Sequence, residues 1–480
     1  MSKTSTIESS IHDELIQKYN MAVPRYTSYP SAPYFESDYS NDDFLWDVKK
    51  TNEPLIPRDL SIYIHIPFCH SLCYFCGCNK IVTQQNHPKI DDYIDSLLKE
   101  ISLRASLFDR DRRVTQIHFG GGTPNFLKNV RIAEILDKIS SEFHLHLPSK
   151  LEMSIEIDPR FISVKDLFEL AKIGFNRFSI GVQDFSKTVQ LAVNRLQTEK
   201  ATLDVIQAAK QVSQSVNVDL IIGLPKQNKA SFRHTLEKVV DSGVTRIAAY
   251  NFAFLPNAIK AQKLINPSEL PSSDERMVLM QMTRDYLLDS DFTHIGMDHF
   301  AKKGDSLLDA LETDSLQRNF QGYTTHAQTD LVGLGVSAIS HFQYAFSQNT
   351  TALNEYFHHI DSNVLPIVKG KSLSNEDVLR AEVIQQIMCR DSIDLKQLTR
   401  HFIHSQQSVS LGELFSTEVS ELNSFVEDGL ICLNGAHITI TEKGRFFRRQ
   451  IASIFDAYLQ QHKSSVSLDT RKVIPFSQAL

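Results

Sequence analysis

His65-Ile-Pro-Phe-Cys69-His-Ser-Leu-Cys73-Tyr-Phe-Cys76-Gly-Cys78-Asn-Lys80 puts four cysteines within ten residues, directly after an apolar, strand-like run. The spacing Cys-x3-Cys-x2-Cys over Cys69, Cys73 and Cys76 sets three thiolates on one short loop. Three thiolates can hold three irons of a [4Fe-4S] cube and leave the fourth open, whereas electron-transfer ferredoxins saturate their clusters with four cysteines at other spacings. An open iron is a place for chemistry rather than for electron storage. A structural zinc site would need a second cysteine pair a dozen or more residues away. The only other cysteines are the isolated Cys389 and Cys432, which read as buried apolar fillers. Six cysteines in a chain of this size do not make a disulfide framework.

The 480 residues, 42% of them hydrophobic, can bury a large core and should form more than one domain. The first ten residues are polar and lack the apolar stretch of a signal peptide, and no run is long enough to span a bilayer. Reduced cysteines in such a chain point to the cytoplasm. With a net charge of −7 nothing argues for bulk nucleic-acid affinity, and an anionic substrate would need a local basic pocket.

Outward from the cysteine loop, six short apolar segments recur with helical stretches between them: 61–66, 114–119, 153–157, 177–183, 216–222 and 246–252. Their β-branched and aromatic content predicts strands buried on both faces. After the loop, Ile90, Tyr93, Ile94, Leu97, Leu98 and Ile101 share one helical face. Further helices are expected over 130–139, 164–173, 203–212 and 232–240, with Ser163 as an N-cap and Gly174 and Gly243 at C-terminal caps. This is an α/β pattern, a parallel barrel of six βα units, partial or complete, with its site at the carboxyl ends of the strands.

Beyond about residue 260 the pattern changes. Residues 274–289 read as a helix, while 295–300 and 318–325 read as loops or strand edges, either around a site or on the plain surface. From about Ser372 come a helical segment, a hairpin-like run over 430–440 and a last helix around 446–458, together winged-helix-like. The division expected is 1–55 as a lead-in, 56–260 as the barrel core, 261–370 as a barrel extension with site loops, and 371–480 as a mostly helical C-terminal domain.

Chemistry-bearing residues fall at strand ends. Gly120-Gly-Gly-Thr-Pro124 follows the second strand, where glycines let backbone approach a ligand closely and present amides to an anion; a tight turn would use the same residues. Glu156 ends the third strand, placed to meet a ribose hydroxyl. Gln183, Arg195 and Asp219 follow on the fourth and fifth strands and could converge on one barrel mouth. His65 and His70 flank the cluster loop as tuning groups or as scaffold, and His118 and His299 stay equally open.

The cysteine motif with the glycine stretch resembles the radical S-adenosylmethionine superfamily. Further segments carry a narrower likeness: Pro24-Arg-Tyr-Thr-Ser-Tyr-Pro30, Tyr63-Ile-His-Ile-Pro-Phe-Cys-His70, Gly181-Val-Gln-Asp-Phe185, Gly223-Leu-Pro-Lys-Gln227, Gly296-Met-Asp-His-Phe-Ala301, Asn319-Phe-Gln-Gly-Tyr-Thr-Thr325 and Gly335-Val-Ser-Ala-Ile-Ser340. Over nearly the whole chain these resemble the bacterial oxygen-independent coproporphyrinogen III oxidase family. The resemblance implies a partial (β/α)6 barrel and an oxidoreductase of haem (porphyrin) biosynthesis. Such an enzyme converts two propionates of coproporphyrinogen III to vinyl groups without dioxygen, through a 5′-deoxyadenosyl radical. It implies Cys69, Cys73 and Cys76 as cluster ligands, with Cys78 close by but not a ligand. It implies two S-adenosylmethionine molecules, one near Tyr63, Gly121, Glu156 and Ile339, the other near Phe75, Gly122, Thr123, Gln183, Arg195, Asp219 and Ala253. It also implies a monomer served by a low-potential electron donor of flavodoxin or ferredoxin type, with no nucleic-acid or membrane partner. Arg25 is a candidate for gripping a substrate carboxylate, a salt bridge that ties down the lead-in being the other reading.

The chain departs from the family pattern at Val23, where glycine is usual, at Ile222, where tyrosine is common, and in a longer tail after Val473. Rival readings are a haem chaperone with the same barrel, which Cys78 and residues 24–30 disfavour, and an anaerobic haem-degrading relative, which shares the cysteine loop but should depart in the lead-in. An iron–sulfur transcription regulator would need a basic face on the last helices; Arg445, Arg448 and Arg449 read more simply as a solvated helix surface.

Overall fold

The computed structural model describes residues 13–213, 215–326, 328–403, 415–466, 476 and 477. The polar start and most of the tail after Val473 lie outside the described residues. The strands that build the main sheet are β1 (Asp59–Ile66), β2 (Arg113–Gly121), β3 (Glu152–Ile157), β4 (Arg177–Gln183), β5 (Ser215–Ile222), β6 (Arg246–Asn251), β7 (Phe292–Gly296), β8 (His299–Lys302), β9 (Thr329–Leu334), β10 (Ile339–Phe342), β11 (Ala345–Asn349) and β12 (Ile367–Ser372). They lie in the order β7-β8-β6-β5-β4-β3-β2-β1-β9-β10-β11-β12. The six expected strands pair in parallel and in sequence, a partial barrel wound one unit at a time.

A seventh parallel strand, β9, pairs with β1 from Asp59↔Thr329 to Ile64↔Leu334. Nothing in its sequence marked it, because Thr329-Asp-Leu-Val-Gly-Leu334 is too short and too mixed to show a strand period of its own. Antiparallel strands continue the sheet on both flanks. The two aromatic stretches are hairpins: β7–β8 turns through Met297, and Gln317–Asn319 pairs with Gly322–Thr324.

Five helices cover the outside: α1 (Lys89–Ala105), α2 (Asn129–Glu142), α3 (Val164–Ile173), α4 (Glu199–Val212) and α5 (Lys229–Asp241). Ser163 caps α3 reciprocally with Asp166, and Gly174 leaves it at φ 128°, a conformation costly to any residue with a Cβ. Gly243, at φ 72°, follows α5 in the same way. Ile62, Ile64, Ile117, Ile155, Ile180 and Val218 are buried in one core with α1 through α5.

The other face of the strands corrects the expectation of apolar burial on both sides. Gln116, His118, Glu152, Ser154, Glu156, Arg177, Ser179, Asn217 and Asp219 line the barrel interior. They alternate with the core residues at the two-residue period of a strand, so the apolar count of each segment reported only the helix-facing side.

A buried polar junction fastens α1 to the second half of the sheet. Glu100 and Arg104 are fully buried; Glu100 accepts from Gly335 N (2.7 Å), Asn349 Nδ2 (2.8 Å) and the Tyr356 hydroxyl (2.7 Å), and Arg104 donates to Glu100 (3.3 Å) and Asn349 Oδ1 (2.7 Å). Burial pushes the Arg104 guanidinium below its usual range, against the pull of Glu100. Two turns earlier, the Tyr93 hydroxyl donates to His65 O at 2.6 Å. The helix that follows the cysteine loop is thus held to the strand that precedes it.

In the C-terminal part, a helix over Asn375–Cys389 and a three-stranded sheet (Ser392–Asp394, Ile431–Asn434 and His437–Ile440) give the winged-helix-like form. Three expectations change here. The last helix is two, Arg448–Ser453 and Ala457–Val466, with a break between. Cys389 is buried, but Cys432 is exposed, because it alternates with buried Ile431 on a two-residue period. Arg448 and Arg449 are not solvated. They are buried, Arg448 against Asp391 and the carbonyls of Ile387 and Arg390, and Arg449 against the carbonyls of Val23 and Pro24. Arg445 also pairs with Asp391, so these three arginines form no open basic face among the described residues. Among the described residues no helix is long and apolar enough to cross a membrane.

Removing one partner of a buried ion pair strands the other, at a cost of ~3–5 kcal/mol. Glu100→Ala should lower unfolding stability by about that amount in urea titrations. Glu100→Leu combined with Arg104→Met should be less destabilised than Glu100→Ala, since no buried charge is then left alone.

Candidate functional site

The loop after β1 carries Cys69 and Cys73 buried, Cys76 half-buried and Cys78 exposed, all as free thiols. Each inner sulfur has a donor aimed at it: Thr123 Oγ1 lies 3.4 Å from Cys69 Sγ, and Arg160 Nη2 and Arg195 Nη1 each lie 3.6 Å from Cys73 Sγ. The Cys76 thiol is lowered to about 6, first by its hydrogen bond with the Cys78 thiol, then by the Lys80 ammonium. Cys69 moves the other way, to about 11, because burial outweighs the Thr123 hydroxyl. Among the described residues no three His, Cys, Asp or Glu side chains close on a single ion. Three thiols on one loop, with hydroxyl and guanidinium donors around them, suit a larger thiolate-bound centre such as an iron–sulfur cube, whose charge such hydrogen bonds tune.

The glycine stretch explains how that loop reaches the barrel. Gly122 N donates to Ile66 O at 2.8 Å, and a Cβ on Gly122 would lie 2.7 Å from Pro67 O and 3.0 Å from Cys69 Sγ. At Gly121, φ is 116° and a Cβ would strike the His65 ring at 2.8 Å. At Gly120 it would meet Tyr63 at 2.9 Å and Glu156 Oε1 at 3.1 Å. A side chain at any of the three would force these neighbours to shift, so the triplet is what lets β2 pack this closely on the cysteine loop.

Charged side chains from the next strands form the far wall. Asp158, just past β3, is buried and accepts from Arg160 Nη2 (2.7 Å) and Arg195 Nη1 (3.1 Å). Burial alone would raise its carboxyl, but the two guanidinium groups hold it below the usual range. Arg195 Nη2 also donates to Gly181 O at 2.8 Å. Glu156 accepts from Gly121 N at 3.3 Å and faces His118 Nε2 at 3.5 Å. Asp219, held by Ser179 (2.8 Å) and Asn217 (2.8 Å), is raised to about 6, chiefly by burial and further by the nearby Glu156 charge.

Phe75, Gly121, Gly122, Thr123, Glu156, Gln183, Arg195 and Asp219 thus line one cleft of about 760 Å³ with Cys69, Cys73, Cys76 and Cys78. Three of the expected residues stand outside this lining. Tyr63 lies behind Gly120 and bonds His65 Nδ1 at 3.1 Å. Ile339 reaches it through Gly333, which pairs with Tyr63 and has no room for a Cβ against Ile339 O (2.4 Å). Ala253 is joined to the cysteine loop by Gln262, whose Nε2 donates to both Ala253 O (2.9 Å) and Phe75 O (3.1 Å).

Asp158, Arg160 and Ser179 belong to the wall but were not singled out from the sequence. The only signal was Asp-Pro-Arg directly after a barrel strand. Of the histidines, His65 bonds Tyr63 and Asn79 O (3.0 Å) as scaffold, and His70 stacks on Phe161 at 4.0 Å. His118 bonds Ser154 at 2.6 Å, and His299, lowered to about 3 by burial, lies deeper in the barrel between Tyr250 and Tyr323.

A second cavity opens where β6 meets the C-terminal part. Arg25 lines it with Arg448, Arg449 and apolar Ile222, Met280 and Phe300. Arg25 forms no ion pair among the described residues; it donates to Asn251 O at the carboxyl end of β6, so the lead-in salt bridge is not what forms. Arg449 is lowered to about 9, by burial and then by the Arg25 charge. Val23 N bonds Ser477 O at 3.3 Å, so part of the longer tail packs on the lead-in at the departing residue.

Residues 63–239 match the radical SAM superfamily, and residues 373–447 match the HemN C-terminal domain. Oxygen-independent coproporphyrinogen III oxidases of Salmonella typhimurium and of Escherichia coli strain K12 are each 42% identical over 448 residues, 93% of this chain and 95% of theirs. That of Synechocystis is 40% identical over 469 residues, 98% of this chain and 99% of its own. The solved coproporphyrinogen III oxidase (HemN) of Escherichia coli, a radical SAM enzyme, superposes with a TM-score of 0.85 at 39% identity, covering 93% of this chain and 99% of that one.

Asp219 yields a pH signature. A folded-state value of about 6, above the ordinary 3.8, means ionisation costs stability, roughly 1–3 kcal/mol, as pH rises from about 4 through 6. Asp219→Asn should therefore be more stable than the parent at pH 8, with the gap closing below pH 4, as followed by urea unfolding across pH.

Proposed function

The chain belongs to the oxygen-independent coproporphyrinogen III oxidases of the radical SAM superfamily, and from that premise we propose that Cys69, Cys73 and Cys76 hold its [4Fe-4S] cluster, with Cys78 beside it as a non-ligand. The enzyme is an oxidoreductase of haem biosynthesis that turns two propionates of coproporphyrinogen III into the vinyl groups of protoporphyrinogen IX. For each propionate a hydrogen atom leaves the β-carbon, carbon dioxide leaves the chain end and one further electron passes to an acceptor, so the remaining two carbons become a double bond. When bound, the cluster and S-adenosylmethionine supply the radical that abstracts the hydrogen.

The chain's own residues bind, orient and shield. The backbone at Gly121 and Gly122, free of Cβ, lets a methionine-like moiety come close beside the cysteine loop. Glu156, with one oxygen held by Gly121 N, is set to accept from a ribose hydroxyl. A first S-adenosylmethionine in this reading meets Tyr63, Gly121, Glu156 and Ile339. A second would be held by Phe75, Gly122, Thr123, Gln183, Arg195, Asp219 and Ala253, the Asp219 carboxylate supplying negative charge for a cationic ligand. Arg25, in a cavity with apolar walls at the end of β6, is placed to meet a propionate. The single observation that supports this reading most is the convergence of the cysteine loop, the glycine triplet, Glu156, Arg195 and Asp219 on one cleft. We further propose a cytoplasmic monomer that takes electrons from a low-potential flavodoxin or ferredoxin and binds neither nucleic acid nor membrane.

Anaerobic reconstitution tests the assignment. Cys69→Ala, Cys73→Ala and Cys76→Ala should each lose bound iron and all conversion of coproporphyrinogen III, read as fluorescence of the oxidised product, whereas Cys78→Ala should keep its iron. Iron retained at four per chain in Cys69→Ala would remove that residue from the ligand set. Arg25→Ala should raise KM for coproporphyrinogen III by ~10-fold or more, the weight of a charge-assisted hydrogen bond, with a smaller change in kcat.

A further inference from the structure

The cysteine loop is flanked by two segments that give the site only Arg195 and Ala253 and otherwise face away from it. Tyr74 N bonds Val193 O at 3.0 Å and Asn194 Nδ2 donates to Leu72 O at 2.8 Å, which fixes residues 186–198 against one side. Gln262 bonds Phe75 O, and Ile259 Cδ1 lies 3.1 Å from where a Gly77 Cβ would be, which fixes residues 253–268 against the other. These flanks expose apolar side chains: Leu191 and Leu264 are 57% exposed and Leu196 is 53% exposed. Between them Gly77 and Cys78 are exposed, so the loop itself reaches the surface.

Charge on this face runs against the rest of the chain. Of 57 carboxylates in 480 residues, none falls within 67–90, 186–198 or 253–268, whereas those segments carry Lys80, Lys89, Lys187, Lys260 and Lys263. The carboxylates bordering the two flanks are buried or paired: Asp184 is buried, Glu199 pairs with Lys238 and Glu269 with Lys226. Lys187, Lys260 and Lys263 are exposed beside the three leucines. An apolar centre rimmed by one sign of charge is the make-up of a transient protein interface, in which charge steers encounter and apolar contact holds it.

We propose that the face formed by Leu191, Leu196 and Leu264 with Lys187, Lys260 and Lys263 docks an acidic one-electron carrier protein, which delivers its electron through the exposed edge of the cysteine loop. The inference rests on the cluster assignment above. The carrier is oxidised by one electron and the cluster reduced by one, with no bond made or broken at the interface.

The test uses the reconstituted holoenzyme and an acidic, FMN-loaded flavodoxin as probe, with binding measured by calorimetry at low and high salt. The parent enzyme should bind saturably and lose affinity with salt. Lys187→Glu/Lys260→Glu/Lys263→Glu should weaken binding at least ~10-fold at low salt and lose the salt dependence. Leu191→Ser/Leu196→Ser should weaken it several-fold with the salt dependence kept. Cluster reduction by reduced flavodoxin, followed by electron paramagnetic resonance, should slow in both variants, while reduction by dithionite should match the parent. Parent-like affinity in both variants, no saturable binding to the parent, or an equal loss with dithionite would each overturn the docking face. A parent enzyme that holds no cluster on Cys69, Cys73 and Cys76 would instead overturn the underlying assignment, and this proposal with it.

Discussion

Everything at the barrel mouth depends on how closely β2 approaches the loop that leaves β1. Gly122 donates to Ile66 O while its α-carbon sits against Pro67 and the Cys69 sulfur, leaving no space for a Cβ. A parallel pair of strands carries its two exit loops to the same end of the sheet. Here the contact is tight enough that the cysteine loop forms one wall of the cleft instead of standing away from it. The Tyr93 hydroxyl on His65 O and the buried Glu100–Arg104 junction then hold α1, the return helix, so that the loop is pinned at both ends.

Polar burial inside the barrel follows from the same geometry. Strand residues facing the helices are apolar, and those facing inward are carboxylates, guanidiniums, hydroxyls and amides that meet one another across neighbouring strands. Asp158 illustrates the balance: its charge persists in a buried position because Arg160 and Arg195 both bond it, and both guanidiniums also reach Cys73. Asp219 lacks a comparable cationic partner within bonding distance among the described residues, which leaves its ionisation costly until something positive lies beside it.

The C-terminal part closes the structure on the lead-in. Arg448 and Arg449 turn inward to Asp391 and to the carbonyls of Val23 and Pro24, and with Arg25 they give a cavity an electropositive rim beside apolar walls. Composition showed these arginines as a modest basic cluster but not their direction, since a helix of six residues has too few turns for its pattern to define a buried face. Cys432 failed in the opposite sense: isolated cysteines are most often buried, and only pairing with His437–Ile440 set which face of its strand met solvent.

Local chemistry was legible where spacing alone constrains it. Three cysteines on one loop, a glycine triplet after a strand, capping residues at Ser163 and Gly174, and six βα repeats each carry their meaning within a dozen residues, and motif resemblance extended that meaning to a family. The rest needed the folded chain. That β9 completes a seventh parallel strand beside β1, that Asp158 and Arg160 share one cleft with the cysteines, and that Arg25 faces a cavity made with residues more than 400 positions away are consequences of long-range pairing. Periodicity within a segment reports which of its faces is apolar, but the identity of what covers each face is decided by contacts between segments, and those exist only once the backbone has closed on itself.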